Sequence, residues 1–158
     1  QRLLMDSMCQ WVFFLDADAL IPNMSVSMES IVEGRSEDIF YTTDPYAYAN
    51  GGVFIMRRTP YVLTYLTRIY SEVSFINHAW WEQAAIQHIL RKNDTRDEGR
   101  VARLPQRIMN SFWPLAIERD DVGWRKGDFI VHFASKRSPK EHWNVTEFID
   151  SHKEDILF

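Results

Sequence analysis

Trp11-Val-Phe-Phe-Leu15 is an unbroken apolar run that stops on Asp16-Ala-Asp18, and this junction constrains the fold more than any other stretch. Five consecutive apolar side chains leave no polar face, so the run reads as a strand buried on both sides within a mostly parallel α/β sheet. Two carboxylates at i and i+2 on a regular strand would point to opposite faces. Neither stays ionised inside a doubly covered sheet without a partner. Asp16 and Asp18 are therefore expected at the strand's carboxyl end, where open α/β sheets form their ligand crevice. Two oxygen donors converging there suit a hard divalent cation such as Mg or Mn. A pair of turn or helix-capping aspartates is the bland alternative.

Composition removes several function classes. With 46% hydrophobic and 25% charged residues, a 158-residue chain reads as one globular domain or part of one. The formal charge of -4, with neither sign massed, argues against a nucleic-acid partner. No apolar run approaches the roughly 20 residues of a membrane span. The single cysteine, Cys9, excludes an internal disulfide and a cysteine-rich zinc site. Because the chain opens at Gln1 in what reads as the tail of a helix, we expect residues 1–158 to be a single partial domain lacking its N-terminal half. The 10 Phe, 6 Trp and 6 Tyr suit a dense core and also a carbohydrate site, since aromatic rings do both.

Along the chain, Ser25 is expected to cap a short helix ending before Gly34, and residues 38–42 form a second strand. Asn50-Gly51-Gly52 reads as a turn ahead of a third strand at residues 53–56. Thr59-Pro60 starts a helix whose inward face is Leu63, Leu66, Ile69, Tyr70 and Val73. Trp80-Trp81-Glu82-Gln83 opens another, with Ala85, Ile86, Ile89 and Leu90 inward. Residues 101–109 read as extended, 129–131 as a short strand ending at His132, and 144–157 as a closing helix.

Two chemistries place an acidic pair after such a strand. Haloacid-dehalogenase-type phosphatases also require a Thr or Val soon after the pair and a late second pair of acids. Here Leu20 stands at the first position, and Gly127-Asp128-Phe-Ile-Val-His132 offers a histidine at the second. Nucleotide-sugar glycosyltransferases use Asp-x-Asp to hold a metal on a diphosphate, and His132 at a strand end would complete a shell of two carboxylates and one nitrogen. A core histidine satisfied by a backbone carbonyl is the alternative for His132 alone.

Five blocks, in order, resemble glycosyltransferase family 34, the Golgi galactosyl-, mannosyl- and xylosyltransferases. They are Gln10-Trp-Val-Phe-Phe-Leu-Asp-Ala-Asp-Ala-Leu-Ile21, Asn50-Gly-Gly-Val-Phe-Ile-Met-Arg57, Trp81-Glu-Gln-Ala-Ala-Ile86, Leu104-Pro-Gln-Arg-Ile-Met-Asn-Ser111 and Gly127-Asp-Phe-Ile-Val-His-Phe-Ala134. The resemblance implies a GT-A-type nucleotide-diphospho-sugar transferase, a mostly parallel central sheet flanked by helices. It implies Asp16, Asp18 and His132 as ligands of Mn2+ (or Mg2+), with Asp16 also at the donor. Asn50, Gly51, Gly52 and Trp81 would contact the donor sugar or acceptor, and Glu82 and Gln83 would face the reacting sugar carbon. Lys136 would approach the diphosphate, although Ser135 stands where the family has glycine.

The function this implies is metal-dependent, retaining transfer of a hexose or pentose from a UDP- or GDP-linked donor to a glycan acceptor. The expected setting is the lumenal side of the Golgi membrane, with the membrane reached only through an anchor outside these residues, and a homo- or hetero-oligomer is compatible with it. The rival from another class is a non-catalytic carbohydrate-binding or scaffold protein derived from the same fold. For single residues the blander roles are core anchors for Trp80 and Trp81 and a dipole-complementing glutamate for Glu82. Asn23, Asn93 and Asn144 each begin an Asn-x-Ser/Thr triplet that serves N-glycosylation only in a surface loop.

Overall fold

In a computed structural model of the protein, the described residues are 9–113, 121–134 and 145–156. They fall into two compact units, one drawn from residues 9–15 and 34–104 and the other from residues 16–33, 105–113, 121–134 and 145–156.

The first unit is built on a four-stranded sheet in the order β1-β4-β3-β5, with β1 at Trp11–Leu15, β3 at Ile39–Thr43, β4 at Ala49–Arg57 and β5 at Val101–Arg103. Pairing is mixed: β4 runs antiparallel to both β1 and β3, and only β3 and β5 are parallel. The connection from β3 to β4 explains this departure from a mostly parallel sheet, because five residues can join antiparallel neighbours but cannot make a parallel crossover. That connection is a tight turn in which Asp44 N–H donates to Tyr48 O (2.7 Å) and Ala47 takes a left-handed φ of 67°.

Two expectations are corrected here. β1 is an edge strand among the described residues, and Phe14 is 46% exposed. Apolarity told of a strand but not of how many neighbours it has. Its Trp11 ring lies against Phe40 on one side and under the Arg57 guanidinium on another. Asn50-Gly51-Gly52 is not a turn but the start of the nine-residue β4. Its glycines serve close approach: a Cβ on Gly51 would stand 3.3 Å from Glu82 Oε1 and 3.4 Å from Gln83 Cβ.

Helix α2 (Pro60–Tyr70) begins as expected, with Thr59 Oγ1 accepting from Val62 N–H and proline in the first turn. It buries Val62 and Tyr65, and α3 (Trp81–Arg91) buries Ala84, Ala85, Ile86 and Ile89; together they pack with Ile39 and Phe54 of the sheet. Tyr70 and Val73 face solvent instead of the core. Val73 lies beyond the end of the helix and opens a 3-10 turn, so the 3.6-residue period that aligned it with Leu66 is lost, whereas Tyr70 is the last helical residue and lies off the face that buries Val62 and Tyr65.

The second unit holds α1 (Met28–Val32) and a small sheet in the order β2-β7-β6, made of Ala19–Leu20, Val131–His132 and Ser111–Phe112. α1 is capped by Ser27, whose Oγ accepts from Ser30 N–H, while Ser25 bonds to Asn23 Oδ1. Within the stretch read as extended, residues 105 onward turn helical: Pro105 precedes α4 (Gln106–Met109), consistent with its fixed φ at a helix start. α5 (Val145–His152) places Phe148 edge-on to Trp124 and Phe133, which with Val131 make this unit's core. Among the described residues no helix is long and apolar enough to cross a membrane.

Candidate functional site

Asp16 and Asp18 converge because the chain leaves the strand geometry between them. Ala19 N–H donates to Asp16 O (3.2 Å), closing a turn that returns the chain to pair Ala19 with His132 in β2 and β7. Phe133 N–H donates to Asp18 O (2.9 Å) and continues that pairing. Side chains that would diverge on an extended strand are thereby gathered on one side of a turn. One ligand atom from each of Asp16, Asp18 and His132 lies within 4.8 Å of the others. His132 Nε2 is 3.2 Å from Asp18 Oδ1.

The three differ in exposure in a way that suits a bound ion. His132 is buried, Asp16 is half-buried and the Asp18 side chain is 56% exposed. The histidine is fixed by the core and the carboxylates face the solvent from which a cation arrives. Phe112 stacks on the imidazole at 5.4 Å and 21°, and His132 Nδ1 lies 2.8 Å from Asn110 Oδ1. The segment carrying Asn110 and Phe112 is anchored by buried Asp128, which accepts from Arg107 Nε and Nη2, Ser111 Oγ and Arg125 N–H. Two carboxylates and an imidazole are a donor set fit for Mn2+ or Mg2+.

The other expected residues gather in the first unit, where the first turn of α3 rests on the side-chain-free backbone at Gly51. Gln83 Oε1 accepts from Gly51 N–H (3.2 Å), and Gln83 Nε2 donates to Asp44 Oδ2 (3.4 Å). Asn50 Oδ1 accepts from Gly52 N–H, and Gln87 Oε1 accepts from Ala49 N–H (2.6 Å). Asp44 Oδ1 also takes the N–H groups of Tyr46 and Tyr48. Burial pushes the Asp44 carboxyl above its usual range, opposed by the Tyr48 N–H and the Gln83 amide.

Trp80 and Trp81 are not core anchors: they are 48% and 68% exposed. Trp80 meets Tyr48 edge-on at 5.1 Å, and Trp81 adopts a φ of 38°, a backbone region bulky residues rarely occupy. Asn23 is buried and its amide donates to Gly127 O, which leaves no room for a glycan there. Lys136 and Asn144 lie outside the described residues. Sequence reasoning passed over Asp44, Gln87 and Asn110; each is made relevant by contacts with residues at least 22 positions away.

Residues 30–143 match the galactosyl transferase GMA12/MNN10 family. Asp16 and Asp18 precede the matched stretch, whereas Glu82, Gln83 and His132 fall within it. A search of curated proteins finds no matching sequence. Among solved structures, the chain is similar to a glycosyltransferase involved in the glycosylation of the major capsid of PBCV-1, with a TM-score of 0.56 and 13% identity over 93% of this chain and 67% of that one. At this identity the likeness concerns the fold, which is α/β and of the GT-A type. With a family match spanning most of its length, the chain belongs to the galactosyl transferase GMA12/MNN10 family.

Proposed function

We propose that the protein is a divalent-metal-dependent, retaining glycosyltransferase that moves a hexose or pentose from a UDP- or GDP-linked donor to a glycan acceptor in the Golgi lumen. The observation that carries this reading is the convergence of Asp16, Asp18 and His132 on one point. Family membership supports the transfer reaction, and the donor set supports the cation.

Asp16, Asp18 and His132 would hold Mn2+ or Mg2+, which when bound supplies neutralising charge for the departing diphosphate. His132 orients the site from the core, and the two carboxylates keep it open to solvent. Asn50, Gly51 and Gly52, at the start of β4, are assigned to the donor sugar or acceptor, with the exposed Trp81 ring offered to a sugar face. Lys136 is assigned to the diphosphate by the sequence pattern alone.

Glu82 and Gln83 are assigned to the reacting sugar. The N-terminus of α3 favours negative charge, which suits Glu82 to stabilising the oxocarbenium-like charge that develops as the leaving group departs. Gln83 is held in place by Gly51 and Asp44, so that its amide is oriented before substrate arrives.

Hydrolysis of the donor without acceptor separates this reading from a carbohydrate-binding module, which has no reason to break that bond. Metal-stimulated release of UDP or GDP is expected from the full enzyme, and binding of glycan with no release under any metal would overturn the proposal. Glu82→Gln and Gln83→Ala should each lower turnover while leaving donor affinity near normal. Unchanged turnover in both would place the catalytic groups elsewhere.

A further inference from the structure

Asn110 is fully buried, terminates α4 and is fixed in place by its own N–H, which donates to Gln106 O at 2.8 Å. Its Oδ1 lies 2.8 Å from His132 Nδ1, and the imidazole is itself only 2% exposed. An amide oxygen can only accept, so this contact requires the hydrogen to reside on Nδ1. In the neutral ring Nε2 is then a bare lone pair, directed at Asp18 Oδ1 from 3.2 Å. Two lone pairs facing each other at that separation need a positive charge between them, either a proton on Nε2 as in the imidazolium or a bound cation. The Phe112 ring, stacked on the imidazole, leaves the histidine little freedom to turn away.

We propose that Asn110 is the positioning residue of the cation site: it selects the Nδ1–H tautomer of His132 and so presents Nε2 as a ligand. The proposal rests on the divalent-cation reading of Asp16, Asp18 and His132. The opposite amide orientation would donate to Nδ1, place the hydrogen on Nε2 and let it bond Asp18, which closes the site to a metal. Asn110 thus separates a metal-accepting arrangement from a self-satisfied one, without touching the ion. Outer partners of ligating histidines act in this way, and losing one typically costs about 10- to 100-fold in metal affinity.

The tautomer is read directly from long-range proton–nitrogen correlations of the histidine rings, recorded on the metal-free 158-residue chain at about pH 8, above the ordinary imidazole range. Wild type is expected to show a protonated Nδ1 and a bare Nε2 at His132. Asn110→Leu should lose that preference and bind Mn2+ about 10- to 100-fold more weakly. Asn110→Asp keeps an acceptor oxygen and should restore both properties, which a purely packing role would not do, since it buries a charge. A wild-type ring protonated on Nε2 overturns the proposal, and this readout stands even where a variant fails to fold. Mn2+ binding by wild type that Asn110→Leu leaves unmoved also overturns it. A wild type with the Nδ1–H tautomer and no affinity for Mn2+ overturns the cation reading instead, while Asn110 keeps its hold on the ring.

Discussion

His132 Nε2 stands 3.2 Å from Asp18 Oδ1 although 114 residues separate them, because Ala19 and His132 are directly paired in a small sheet. The contact is therefore enforced by backbone register rather than by the attraction of the side chains. A site built this way should survive loss of one carboxylate as a fold while failing as a cation site.

Asp18→Asn tests that separation. The side chain is more than half exposed, so its stability should stay within about 0.5 kcal/mol of wild type. Metal-stimulated turnover should disappear. Retained activity at saturating manganese would show that Asp18 is not a ligand.

Gly51→Ala probes the contact between β4 and the first turn of α3. The new methyl would come 3.3 Å from Glu82 Oε1, which has to give by a few tenths of an ångström, and would reach ordinary contact with Gln83 Cβ at 3.4 Å. A destabilisation of about 1 kcal/mol by thermal melting is expected, the low end for overpacking. Turnover should fall as well, since the displaced carboxylate of Glu82 is one of the groups assigned to the sugar.

The pattern of what was legible follows from the range of the interactions. The Thr59-Pro60 start of α2 and the apolar face of α3 were readable because capping and helical period act within a few residues. The convergence of Asp16, Asp18 and His132 was readable because carboxylates after an apolar strand have few tolerable places and the histidine also ends a strand. Asn50-Gly51-Gly52 was misread as a turn, since glycine serves a turn and a close helix approach equally well. The end of α2 at Tyr70 was missed because the residues beyond it continue the apolar pattern while the backbone does not. Asn110 falls in a family block and Asp44 opens a turn, but neither carries a local signal of its partner at the site. Their partners, His132 and Gln83, lie 22 and 39 positions away.

Asp44 makes stability depend on pH with a defined sign. Its carboxyl is raised by burial above the ordinary value of 3.8. A raised folded-state value stabilises most below that ordinary range and is lost as pH climbs through the raised one. Asp44→Asn keeps an oxygen for the Tyr46 and Tyr48 N–H groups but has no charge to desolvate. The substitution loses the Gln83 bond at every pH, so the expected signature is the trend: the variant's urea midpoint should gain on that of wild type as pH rises from about 3 to about 7. A variant that loses ground to wild type as pH rises over that interval would contradict the burial argument.

Phe14, Tyr70, Val73, Ile76 and Trp81 line an apolar hollow of about 810 Å³ in the first unit and are all exposed. The 158-residue chain should enhance the fluorescence of a hydrophobic dye such as anilinonaphthalene sulfonate. Phe14→Lys should weaken that signal and reduce self-association through the edge of β1. A wild-type chain that leaves the dye dark would show the hollow to be closed in solution.

The most direct measurement of the central claim is a manganese titration of the chain followed by electron paramagnetic resonance, in which bound ion loses the six-line signal of free Mn2+. The account predicts one saturable site in wild type that is lost or severely weakened in Asp16→Asn, Asp18→Asn and His132→Ala alike. Manganese that stays free in wild type, or a site that all three substitutions leave intact, would contradict it.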